Sequence, residues 1–140
     1  GKTPNGQLPL LRKSLKDVAS KTPSFTLEIN KLGVFGHTYK PEIIWLGFQE
    51  QPILKTMFER LEKSLIENGF TPEHGHFVPH ITLGRIKQVD NKKRFWAAVE
   101  NLQPTYNQLI NVDKVVLFRS QLEKEGPIYT PLNQYSLITD

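Results

Sequence analysis

Ile43-Ile44-Trp45-Leu46-Gly47-Phe48 is an unbroken apolar run. A strand that is apolar on both faces must be covered on both, so the run predicts a central strand rather than an exposed ribbon. Its flanks agree. Phe25-Thr26-Leu27-Glu28-Ile29-Asn30 alternates apolar and polar residues, as a strand with one buried face does. Leu32 to Phe35 extends that strand past an expected bulge at Gly33, and residues 36–41 read as a loop holding His37. After the apolar run a helix is expected over about 51–68, with Leu54, Met57 or Phe58, Leu61 and Leu65 as its stripe and Gly69 as its stop.

The remaining segments are shorter. A helix is expected from about Leu8 to Ser20, with Leu11, Leu15, Val18 and Ala19 on one face and Pro23 closing the segment. Asp90 reads as the N-cap of a helix reaching about Asn101, with Phe95, Trp96, Val99 and Leu102 inward. Val112 and Val115 to Phe118 mark a strand, residues 123–126 a turn, and Ile128-Tyr129 with Tyr135 to Ile138 a terminal antiparallel ribbon. Strands and helices mix without strict βαβ alternation, which predicts an α+β fold with antiparallel sheets. The 140 residues suffice for one compact domain. There is no cysteine, so disulfides and thiolate metal sites are excluded. No apolar run reaches membrane-spanning length and no leader-like apolar segment follows Gly1, so a cytoplasmic, membrane-free protein is expected. The formal charge of +4 favours a polyanionic partner such as RNA.

Chemistry concentrates in Phe77-Val78-Pro79-His80-Ile81-Thr82-Leu83-Gly84-Arg85, a short strand entered through a proline. Side chains alternate along a strand, so His80 and Thr82 share a face while Ile81 and Leu83 turn towards burial. A lone strand histidine is ordinarily structural. Beside a hydroxyl, however, an imidazole that changes charge near neutral pH can hold a phosphate and move a proton. Strict alternation sets Arg85 on the face of Ile81 and Leu83. A bulge near Gly84 re-aims it towards His80, and without one it is a surface charge. Phe77 is a candidate for the wall of a base pocket, with core packing as the ordinary alternative. Trp45 divides likewise between base stacking and the core.

Pro79-His80-Ile81-Thr82-Leu83-Gly84-Arg85 resembles the second signature of the 2H phosphoesterases, in the branch of RNA 2′,3′-cyclic phosphodiesterases or 2′-5′ RNA ligases. The resemblance extends to Pro23 to Leu27, Leu32 to Phe35, Ile43 to Gly47, Leu117 to Ser120, Gly126 to Tyr129 and Tyr135 to Leu137. It implies a two-lobed α+β fold in which antiparallel sheets face a cleft, with a His-x-Thr motif on each side. It also implies metal-independent, cofactor-free hydrolysis of 2′,3′-cyclic phosphate RNA ends to 2′-phosphates, with 2′-5′ ligation as a further activity, by a protein expected to be monomeric. His80 would then be the general base, Thr82 a phosphate donor, Arg85 a phosphate clamp and Phe77 a substrate contact. The sequence holds one His-x-Thr; none of His37, His74 and His76 has the matching context. A domain that lacks its first motif at the N-terminal side is therefore expected. Two alternatives stay open: a non-catalytic RNA- or phosphate-binding module, and a zinc hydrolase using His74, His76 and His80.

Overall fold

The computed structural model describes residues 2–72, 75–104 and 108–140. The chain forms two compact units, one from Thr26–Gln51 and Gly75–Ile110, the other from Gly1–Phe25, Pro52–His74 and Asn111–Asp140. Both combine helices with antiparallel strands, as an α+β chain should.

The first unit is a sheet carrying one helix. Its strands are β1 (Phe25–His37), β2 (Lys40–Phe48), β3 (His80–Arg85) and β4 (Gln108–Val112), ordered β3-β2-β1-β4, and α3 (Lys92–Asn101) joins it. The apolar run lies in β2, an interior strand as its composition predicts. The loop expected over 36–41 contracts, because β1 runs to His37 and β2 starts at Lys40. Gly36 makes this possible: its φ of 111° is a conformation that side chains resist, and a Cβ would meet the Lys40 carbonyl oxygen at 2.6 Å. The hairpin tip is held from α3. Trp96 Nε1 donates to the Thr38 carbonyl at 3.2 Å, and Lys92 Nζ stands 5.6 Å from the Tyr39 ring. His37 stacks on Tyr39 at 5.4 Å and accepts its backbone N–H at 3.3 Å, so this histidine is spent on the turn.

The bulge expected at Gly33 occurs instead at Asn30. Ile29 pairs with Phe48 and Lys31 with Gly47, so one β1 residue is extra. Gly33 stays in register opposite Trp45, where its missing Cβ is needed: that atom would lie 2.3 Å from Trp45 Cζ2. Two helix details also differ from expectation. Asn91, not Asp90, caps α3, accepting the Arg94 N–H at 2.9 Å, while Asp90 accepts Gln88 Nε2 at 2.8 Å. Leu102 is 68% exposed, because the helix ends at Asn101 and Leu102 is its C-cap.

The second unit packs α1 (Leu8–Ser20) against α2 (Pro52–Glu67) and against the ribbon of β5 (Lys114–Glu123) and β6 (Gly126–Ser136). Leu15, Val18 and Ala19 are buried, as the periodicity of α1 predicts. Ser14 is buried beside them and accepts hydrogen bonds from Ser64 Oγ at 2.9 Å and Asn68 Nδ2 at 3.2 Å. The single strand expected around 112–118 breaks at Asp113 into β4 and β5. The Leu137 N–H donates to the Asp113 carbonyl at 2.8 Å, and Ile138 bonds to Thr22 and Ser24, tying the last residues to the end of α1. Among the described residues no helix is long and apolar enough to cross a membrane.

Candidate active site

β3 is an edge strand that pairs antiparallel with β2. Pro79 lacks an N–H and limits its predecessor to extended conformations, so it suits the approach to a strand beginning at His80. His80 lies opposite Gly47 and Thr82 opposite Trp45, which puts both on one face. Beyond Thr82 the register slips, with Ile44 opposite Gly84 and Ile43 opposite Arg85, leaving Leu83 as an extra residue. Directly paired residues share a face, so Arg85 lies with Ile43, Trp45 and Gly47, and therefore with His80 and Thr82. The bulge thus sets Arg85 on the face that strict alternation denies it. His80, Thr82 and Arg85 are all exposed.

Ile81 and Leu83 are not buried; they are 40% and 55% exposed. Only one neighbouring strand shields an edge strand, and Leu83 is the residue displaced by the bulge. Phe77 is 45% exposed and precedes the strand. Trp45 is only 7% exposed and stacks on Phe35 at 4.7 Å, which makes it part of the sheet's packing.

The imidazole of His80 is held on three sides. Its Nδ1 lies 2.7 Å from the Val78 carbonyl oxygen. A carbonyl only accepts, so Nδ1 carries the hydrogen and the neutral ring presents a bare Nε2. Phe35 meets the ring edge-on at 4.9 Å, and Trp45 does so at 6.1 Å. The backbone bond and the two aromatic contacts fix the ring's orientation, while its exposure leaves Nε2 open to a proton from solvent or ligand.

The sequence reading missed Lys31. It lies opposite Gly47, the residue that also pairs with His80, and its Nζ stands 5.3 Å from the Trp45 ring. One signal was available. Phe25, Leu27 and Ile29 are the buried phase of β1, and a lysine at the next position of that phase requires a strand end or a bulge.

Of the three-histidine alternative, His74 lies outside the described residues, while His76 and His80 are exposed. No group of three metal-ligating side chains forms among the described residues. A cavity of about 970 Å³ in the other unit is bordered by Leu8, Leu11, Leu117, Phe118, Leu122 and Leu132 with Lys2 and Arg119. None of its lining residues is a histidine, aspartate or glutamate.

Comparison with known proteins bears on family and fold. Residues 47–129 match the model of the LigT-like phosphoesterases. An RNA 2′,3′-cyclic phosphodiesterase of Methanothermobacter thermautotrophicus is 28% identical over 98% of this chain and 74% of its own length. Proteins of the same name from Geobacillus stearothermophilus and Thermotoga maritima are 28% and 34% identical, and the chain spans only 43% and 57% of their lengths. In fold, a Thermus thermophilus protein superposes with a TM-score of 0.79 over 98% of this chain and 73% of its own, at 23% identity. E. coli LigT complexed with 3′-AMP gives a TM-score of 0.74 over 99% of this chain and 73% of its own, at 22% identity. The matched segment covers more than half of the chain and takes in α2, β3 with its His-x-Thr, α3, β4 and β5, and on that footing the chain belongs to the LigT-like phosphoesterase family, within the 2H phosphoesterases.

Proposed function

We propose that this chain is the part of an RNA 2′,3′-cyclic phosphodiesterase that carries the second His-x-Thr motif. His80 Nε2 takes a proton from water, and the resulting hydroxide attacks the cyclic phosphorus. The P–O3′ bond breaks, the 3′ oxygen leaves with a proton from a second acid, and the RNA retains a 2′-phosphate. Thr82 donates its hydroxyl hydrogen to a phosphate oxygen. Arg85 supplies paired N–H donors to the same group. The second acid is assigned to another His-x-Thr strand, outside these 140 residues.

The observation that carries the proposal is the His80 Nδ1 to Val78 bond of 2.7 Å, which turns a bare Nε2 onto the face shared by Thr82 and Arg85. The names of the relatives supply the substrate: the protein from Methanothermobacter thermautotrophicus is called an RNA 2′,3′-cyclic phosphodiesterase. A phosphate-binding module is the second reading, favoured by the single His-x-Thr in this sequence.

The deciding assay uses a short RNA ending in a 2′,3′-cyclic phosphate. Appearance of a 2′-phosphate product, with a loss of about 10²–10⁴-fold in His80→Ala, supports the hydrolase. Binding of the product-ended RNA without turnover supports the module. Neither binding nor turnover removes both readings.

A further inference from the structure

Two glycines open space on the face of His80, and different side chains fill it. Gly33 lies under the Trp45 indole. Gly47 lies under Lys31, where a Cβ would stand 2.7 Å from Lys31 Cε and 2.8 Å from Cγ. Gly47 is also the residue that separates Lys31 on β1 from His80 on β3. The lysine stem therefore extends over Gly47 of β2 and beside the Trp45 indole, whose Cζ3 would lie 2.7 Å from the same Cβ.

The Asn30 bulge is what brings Lys31 to this face. Ile29 pairs with Phe48 and Lys31 with Gly47, so the two fall on opposite faces although they are two residues apart. β3 repeats the device: the extra Leu83 sets Arg85 on the face of His80. Two independent bulges thus place two basic residues on the face of one imidazole. Lys31 is exposed, and among the described residues no carboxylate is paired with it. Its ammonium is held over an aromatic ring that is itself buried, an arrangement that keeps the charge in place and available.

We infer that Lys31 binds the backbone phosphate of the nucleotide next to the reacting end, so that this face engages an RNA chain in preference to a lone nucleotide. The inference rests on the proposed function. Thr82 and Arg85 follow His80 along β3, whereas Lys31 lies across the sheet from it, two interstrand steps or roughly 10 Å away at the backbone. Arg85 thus reaches out from His80 along the strand and Lys31 across the strands, so with the first phosphate held between His80, Thr82 and Arg85, a second phosphate is the group that Lys31 can meet.

The test measures binding of adenosine 2′-monophosphate and of a trinucleotide ending in a 2′-phosphate, across a salt series. The wild-type chain, Lys31→Gln and Lys31→Arg are compared. Lys31→Gln is expected to weaken the trinucleotide about 3–10-fold, to leave the mononucleotide unchanged, and to lower the salt slope by about 0.7, the value for one single-strand phosphate. Lys31→Arg keeps the charge and is expected to restore most of the loss. Equal weakening of both ligands, or no change in either, overturns the inference while leaving the proposed function standing. A wild-type chain that binds neither ligand removes the function and the inference together.

Discussion

Gly33 and Gly47 lie two positions along the sheet and one strand apart, yet substitution at each should have a different effect. A Cβ at Gly33 would press into the rigid, buried indole of Trp45, with Cε2 at 2.5 Å and Cζ2 at 2.3 Å. Gly33→Ala should therefore destabilise the protein by about 1–3 kcal/mol, the usual range for overpacking. The corresponding fall in melting temperature is roughly 4 °C per kcal/mol for a chain of this size. At Gly47 two of the three nearest atoms belong to the flexible stem of Lys31, and the third is a single atom of the same indole, Cζ3 at 2.7 Å, farther off than any of the three indole atoms that a Cβ at Gly33 would meet. Gly47→Ala should shift the melting point less than Gly33→Ala, and should weaken trinucleotide binding more than mononucleotide binding by displacing Lys31. Equal melting shifts in the two variants would contradict the assignment of a wholly rigid surround at Gly33 and a partly movable one at Gly47. His80 and Thr82 were legible because they sit two apart on a single strand. Arg85 and Lys31 were not settled, since the face each occupies depends on an extra residue in a pairing, and alternation within one strand carries no record of its partner.

Helices were read more closely than strands, because a helix satisfies its hydrogen bonds within a local segment whose apolar spacing is visible. α1 was expected at Leu8–Ser20 and occupies that range. What remained ambiguous was the cap of α3, where Asp90 and Asn91 are adjacent and both are good N-cap residues. The hydrogen bond from the Arg94 N–H to Asn91 decides between them. Asn91→Ala should cost about 1 kcal/mol of stability, whereas Asp90→Ala, which removes only an exposed partner of Gln88, should stay within about 0.5 kcal/mol. Chemical denaturation of the two variants checks this, and a larger loss from Asp90→Ala would reassign the cap. A second element-level contact was invisible in the sequence. Gln103 bonds to both backbone groups of Leu32, accepting its N–H at 3.0 Å and donating to its carbonyl at 3.1 Å. A side-chain amide here behaves as a short length of neighbouring strand for β1, and no local pattern marks the glutamine for that work.

Over the whole molecule, the chain passes four times between its two compact units, which are built from five sequence segments. Composition and periodicity act over a few residues, so they recovered the order of elements and the α+β class but not this interleaving. Its structural consequence falls on the C-terminus. Leu137 is 4% exposed and follows the end of β6, and its neighbour Ile138 bridges to Pro23 beyond α1. One leucine past the last strand therefore helps close a unit that begins at the other end of the chain. Leu137→Ala should cost about 2–5 kcal/mol, the range for emptying a buried leucine site. Set against a typical net stability of about 5–15 kcal/mol, that is a substantial fraction. Leu122, on the ribbon of the same unit, is 87% exposed and provides the matched control, so Leu122→Ala should change stability by no more than about 0.5 kcal/mol. Thermal melts of the two variants followed by circular dichroism should differ by at least about 6 °C. If they coincide, Leu137 does not anchor the terminus, and the bonds from Ile138 to Thr22 and Ser24 have to hold it without the buried side chain beside them.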